Sequence, residues 1–178
     1  MMQNKTQQAG QSEDIKKLGE LIQDIDFAML TTVDDDGTLR SRPMSTQEIE
    51  FDGDLWFFTS GDAAKVHEIK QHQQVNLSYA DSKHYRYVSV SGWAELVHDR
   101  QKIEALWQPA YKIWFPEGLD DPNLALLKVH VEKAEYWDSP NGVVVQLVGF
   151  VKALVTGQPY EGGENAKINL AAVPAQAR

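Results

Sequence analysis

The sequence has no cysteine. Disulfides, thiolate nucleophiles and cysteine-ligated metal or iron–sulfur centres are excluded with it, and the expected compartment is the cytoplasm. No apolar run approaches the length of a membrane span, and the polar start Met1-Met2-Gln3-Asn4-Lys5-Thr6-Gln7-Gln8 lacks the apolar segment of a signal peptide. A soluble chain without a membrane partner is expected. Positive charge is scarce: 17 Lys and Arg stand against 26 Asp and Glu, a formal net charge of -9 with no basic cluster to override it. A polyanion is repelled by such a chain, so nucleic acid is not an expected partner. His67 and His72 lie five apart, the wrong spacing for two ligands on one helical face, and no metal site is expected.

What is present suits one domain of 178 residues with appendages. Residues 1–12 are rich in Gln, Ser and Asn without periodicity and predict a disordered tail. The domain is expected over residues 13–157, followed by an extended C-terminal tail over 158–178 with a small docking contact near Ile168 to Leu170. Ile15, Leu18, Leu21, Ile22 and Ile25 share one face of a short amphipathic helix that starts at Glu13. Phe27 to Val33 and Leu39 to Glu48 read as an antiparallel pair around the turn Asp34-Asp35-Asp36-Gly37. Period-2 alternation puts Arg40, Arg42 and Met44 on one face of the second strand, and Pro43 removes a ladder donor, which implies an edge or a bulge.

Ile49 to Phe51, the Asp52-Gly53 turn and Leu55 to Thr59 predict a further hairpin. A helix is then expected over Asp62 to His72, with Val66 and Ile69 inward, and a strand over Val75 to Ala80. Arg86 to Val97 alternates between a core face, Val88, Val90, Ala94 and Leu96, and a face of Tyr87, Ser89, Ser91, Trp93 and Glu95. The second face is too aromatic for plain solvent and suggests another subunit, a ligand, or both. Asp99 can cap a helix carrying Ile103, Leu106 and Trp107, before an aromatic loop around Trp114. Leu124 to Trp137 predicts a long strand, and Ser139-Pro140 opens an expected helix through Val143, Leu147, Val151 and Leu154.

The stretch with the most chemistry runs from Trp56 to Lys65, where aromatic strand residues break at Gly61 and a helix begins. The first turn of a helix leaves backbone N–H groups without internal partners and carries partial positive charge, so an anion fits there. Thr59 and Ser60 add hydroxyls, and Lys65 can reach back with an ammonium. Arg40 and Arg42 could complete a phosphate clamp, since a guanidinium fork matches phosphate oxygens. The same residues also suit an ordinary capped helix, with Asp62 as N-cap, Lys65 solvated and the two arginines guarding a strand edge.

Six or seven short antiparallel strands with an inserted helix predict a mainly β fold, a β-barrel with helices. At this point several segments resemble the FMN-binding split-barrel proteins related to pyridoxamine 5′-phosphate oxidase, within them the general stress protein group. Gly37-Thr38-Leu39-Arg40-Ser41-Arg42-Pro43-Met44 is similar to the family's arginine-bearing strand, Phe58-Thr59 to its aromatic-threonine pair, and Ala64-Lys65 to its phosphate-binding lysine. Gly92-Trp93-Ala94-Glu95 and Glu135-Tyr136-Trp137-Asp138 match two later motifs.

The resemblance implies FMN, with FAD also accepted, and puts Arg42, Thr59, Ser60 and Lys65 at the phosphate. It runs the backbone of Met44 to Gln47, Ser45 included, along the ring, counts Arg40, Pro43 and Phe58 among the cofactor-binding residues, and gives Trp137 to the flavin of a neighbouring subunit. It further implies a homodimer and an oxidoreductase of an unidentified small molecule. A non-enzymatic flavin buffer or sensor, or a barrel without cofactor, are the other readings. No catalytic side chain is named, because the flavin would carry the chemistry. The oxidases follow their late tryptophan with a substrate-binding arginine and histidine; here Gly142-Val143-Val144-Val145 follows, so pyridoxamine phosphate oxidation is not expected.

Overall fold

A computed structural model describes residues 2–47, 50–138 and 164–170. Helix α1 spans Met2–Ile22, α2 Ala64–Gln71 and α3 Arg100–Leu106. The strands are β1 Phe27–Val33, β2 Leu39–Ser45, β3 Asp54–Ser60, β4 Gln74–Asp81, β5 Arg86–Val97, β6 Leu124–Asp138 and β7 Glu164–Asn169. All pair antiparallel in one sheet of order β2-β1-β4-β5-β6-β3, with β7 also on β6. The mainly β, barrel-with-helices expectation holds, and β5 has the bounds that its alternation predicts.

Inward positions recur with period 2. Leu30, Leu77, Val88, Val90, Leu127 and Val129 are buried together with Leu18 and Leu21 of α1. Glycine matters most at position 92. A Cβ there would lie 2.0 Å from the His130 carbonyl oxygen, and the β5–β6 register shifts between Ser91 and Gly92. Glu132 is skipped in that ladder, and its carbonyl instead accepts the Leu170 N–H at 2.7 Å. The irregularity marks a hand-over along β6, which pairs with β3 up to His130 and with β7 from Lys133.

Four expectations change. Residues 2–12, expected as a disordered tail, continue α1: the segment has no proline, and each residue added to an anchored helix gains a hydrogen bond without fresh nucleation. Residues 50 and 51 form no strand, and β3 pairs with β6 rather than in a hairpin with the chain before Asp52. Helix α2 begins at Ala64 with Ala63 as N-cap, two residues beyond the expected start, because the Asp62 carboxylate is engaged by the Ser60 hydroxyl at 2.5 Å. The docking contact expected near Ile168 is a full strand, β7, with Ile168 and Leu170 buried. The helix expected after Ser139 lies outside the described residues.

Candidate functional site

The sheet's two end strands, β2 and β3, approach each other without a hydrogen-bonded ladder. Pro43 sits in β2, whose one ladder neighbour among the described residues is β1, as suits a residue without an N–H. The open seam leaves room between the strands. A cavity of about 290 Å³ lies there, between Met44 and Ser45 of β2, Gln47 just beyond it, and Phe58, Thr59 and Ser60 of β3.

Its far wall comes from the aromatic segment between β5 and β6. The Asp99 carboxylate accepts the N–H groups of Gln101 and Lys102, capping α3 as expected. Ile103 and Leu106 of α3 pack with Leu124 and Leu126 of β6. That anchoring sets the following 3-10 turn, Pro109–Ile113, over the cavity. Phe58 meets the Tyr111 ring at 5.0 Å and the Trp107 ring edge-on at 5.5 Å. The Tyr111 hydroxyl donates to Gln47 Oε1 at 3.0 Å, while the amide nitrogen of Gln47 reaches the Ser45 carbonyl at 3.4 Å. Trp114, Phe115 and Phe27 complete the wall.

At the α2 end the cavity's chemistry changes from aromatic to cationic. A second, open depression of about 360 Å³ is lined by Arg40, Ser41, Arg42, Ala64 and Glu68, and it shares Ala63 and Lys65 with the cavity. Among the described residues no side chain caps α2, so its first turn receives no side-chain acceptor from them. Burial holds the Lys65 ammonium below the usual lysine range; the neighbouring Arg42 charge adds to this and Glu68 opposes it. Glu68 is buried, and its Oε2 accepts Arg42 Nη2 at 2.8 Å as well as the Thr32 hydroxyl. Arg42 Nη1 in turn donates to that hydroxyl. Arg40 pairs with Asp34 at 3.0 Å and stands 3.8 Å from the second Glu68 oxygen.

Of the residues singled out from the sequence, Met44, Ser45, Gln47, Phe58, Thr59, Ser60 and Lys65 meet around the cavity, and Arg40, Arg42 and Lys65 around the depression. Pro43 lines neither; it is exposed and pairs with Met29 on the outer side of the β1–β2 ladder. Trp137 also lies apart, exposed near the end of β6 opposite Tyr87. Sequence reasoning missed Glu68, Thr32, Tyr111, Phe115 and Phe27. Glu68 had a usable signal, since it follows Lys65 at the i,i+3 spacing of an opposite-charge helical pair, and Tyr111 and Phe115 belong to the aromatic loop around Trp114.

The family model described as pyridoxamine 5′-phosphate oxidase like matches residues 13–161. Protein bli-3 of Neurospora crassa is 31% identical over 143 residues, which cover 75% of this chain and 68% of that protein. The crystal structure of the general stress FMN/FAD binding protein from Xanthomonas citri superposes with a TM-score of 0.61 at 31% identity, covering 71% of this chain and 89% of that one. A structure described as general stress protein 26 from Jannaschia sp. shares the fold, with a TM-score of 0.72 at 24% identity over 91% of this chain and 99% of its own. With a split barrel, the arginine-bearing strand and the lysine-led helix all in place, the chain belongs to the pyridoxamine 5′-phosphate oxidase-like family.

Proposed function

We propose that this protein binds FMN, and accepts FAD, in the seam between β2 and β3, and uses it as an oxidoreductase of a small molecule in a stress response. One observation carries the reading: an aromatic-walled cavity and a cation-lined depression meet at Ala63 and Lys65, beside a helix start that no side chain of the described residues caps. A flavin mononucleotide has the same two-part chemistry, a planar apolar ring at one end and a phosphate at the other. Met44, Gln47, Phe58 and Tyr111 would hold the ring, while Ser60, Lys65 and Arg42 would hold the phosphate. The bound flavin would supply electron transfer, which no side chain here can supply. The solved relative from Xanthomonas citri, described as FMN/FAD binding, supports the assignment.

Two arrangements of this chain limit the reaction. Asp138 follows Trp137 and pairs with Arg86 at 3.7 Å, so the cation at that end of β6 is already matched by a carboxylate rather than held out for an anionic substrate. Pyridoxine phosphate should not turn over at a useful rate. The outer face of the sheet also suits a second copy of this chain. Phe27, Met29, Tyr87 and Trp137 are exposed there, around a flat polar centre in which Asn76 bonds Ser89 at 2.9 Å and Thr31 bonds Ser41 at 2.7 Å. Phe27 belongs to this face and to the cavity wall, so a partner seated on the face would cover the cavity mouth.

The test is the absorbance spectrum and mass of whatever co-purifies with the protein, followed by FMN titration and light scattering. Bound flavin, a dimer and reoxidation by a candidate acceptor support the whole reading. Bound flavin without turnover reduces it to the buffer or sensor, and a flavin-free protein that ignores added FMN overturns it.

A further inference from the structure

A buried carboxylate beside an anion site is unexpected on charge alone. Arg40, Arg42 and Lys65 line the depression at the start of α2, and every negative charge among them weakens the field that an incoming anion would feel. Glu68 nevertheless lies there at 2% exposure. Its geometry explains why it is tolerated. One oxygen holds Arg42 through Nη2 and, by way of the Thr32 hydroxyl, through Nη1; the other lies near Arg40. Arg42 is thus gripped by two nitrogens of its fork, and three elements, β1, β2 and α2, are tied together by this network. A long cationic side chain otherwise loses rotamer freedom when it binds a phosphate, and a guanidinium already held in place avoids much of that cost.

We propose that Glu68 is the positioning residue of a phosphate-monoester clamp: acting through Arg42 and Arg40, it orders the guanidinium groups that, with Lys65, receive the phosphate. The proposal deepens the flavin reading, on which it rests only for the identity of the phosphate's carrier. Two effects of opposite sign make it testable. Were Glu68 merely a counter-charge, its neutralisation would strengthen anion binding; as the residue that orders the clamp, its neutralisation weakens it.

The experiment titrates the full chain and its Glu68→Gln variant with FMN, riboflavin and ribose 5-phosphate. Glu68→Gln should weaken FMN and ribose 5-phosphate by roughly tenfold, the scale of one charge-assisted contact, and leave riboflavin unchanged. Glu68→Asp, which restores the charge, should recover part of the loss. Unchanged or tighter binding of both phosphates overturns the proposal, and so does an equal loss for riboflavin, which marks a merely structural residue. Should Glu68→Gln fail to fold, Glu68→Asp takes its place: it keeps the charge but draws the carboxylate back from Arg42, and parent-like binding of both phosphates in that variant sinks the idea. A parent protein that takes ribose 5-phosphate but neither flavin defeats the flavin reading, and the clamp is then judged on the sugar phosphate. A parent that takes neither phosphate defeats both.

Discussion

Within the barrel, β4 and β5 have a ladder on each side, whereas β2 and β3, the two ends of the sheet, have one each among the described residues and face one another across a cavity. The laddered side is filled by Leu77, Val88, Val90 and Leu127, and its backbone crossing at Gly92 admits no side chain. The seam side carries the arginines, the lysine, the uncapped helix and most of the aromatic wall. Stability is concentrated where hydrogen bonds and apolar contacts are complete. Ligand chemistry is concentrated where the ladder stops and polar groups are left to be satisfied.

The sharpest way to break that contrast is at Gly92. An alanine Cβ would collide with backbone at His130, which cannot swing aside as a side chain could. We expect Gly92→Ala to cost roughly 4 kcal/mol or more of stability, read by urea or thermal unfolding, while any folded fraction keeps its preference for FMN over riboflavin. A parent-like midpoint would show that the crossing is not rigid.

Next come the cations of the seam, which separate from one another. Lys65→Ala should lower FMN affinity by about 1.5–3 kcal/mol, leave riboflavin untouched and scarcely move the unfolding midpoint. Arg42→Ala should act on both sides, because it deprives buried Glu68 of its nearest cation; about 3 kcal/mol of stability should go with the affinity. Equal and purely ligand-directed effects of the two variants would mean that the Glu68 pairing contributes nothing.

Asp99→Ala tests whether the aromatic wall is a dependency of the seam or of the core. Loss of a two-donor N-cap should cost about 1 kcal/mol of stability. FMN and riboflavin should weaken together and slightly, since the wall touches the ring end alone; a selective loss of FMN would place the wall wrongly.

The smallest effect is one of pH. The Lys65 pKa is lowered from 10.5 in the fold, so below that value the unfolded chain binds the extra proton first. Stability contributed by this group therefore rises with pH across the window between its folded pKa and 10.5. Contact with a phosphate changes in the opposite sense, because the ammonium is lost there. FMN affinity should fall over that window while apo-protein stability gains, and Lys65→Met should flatten both curves.

How much of this was legible depended on the range of the interaction. Alternation in Arg86 to Val97 reflects one strand packed on one core, and its bounds could be read directly. The shared face of Arg42 and Met44 and the Asp99 cap are likewise local. The partner of β3 was not legible: β6 lies about seventy residues on, and nothing within Leu55 to Thr59 distinguishes a hairpin neighbour from a distant one. Glu68 was hidden for a related reason, since its burial depends on guanidinium groups from β2, a strand that periodicity places on a face but not against a helix. Tyr111 entered the cavity through tertiary packing of the α3 segment, which no period in the sequence encodes.

The missing ladder between β2 and β3 also sets a rhythm of motion. Backbone amides that lack a ladder partner can exchange their hydrogens with solvent without the barrel coming apart, whereas those in β5 must wait for larger openings. Alternate amides of β2 should thus exchange early in a deuterium experiment. A ligand clasped between the two strands would slow them selectively, so the seam would report occupancy as a change in the local clock of the protein before any change in its shape.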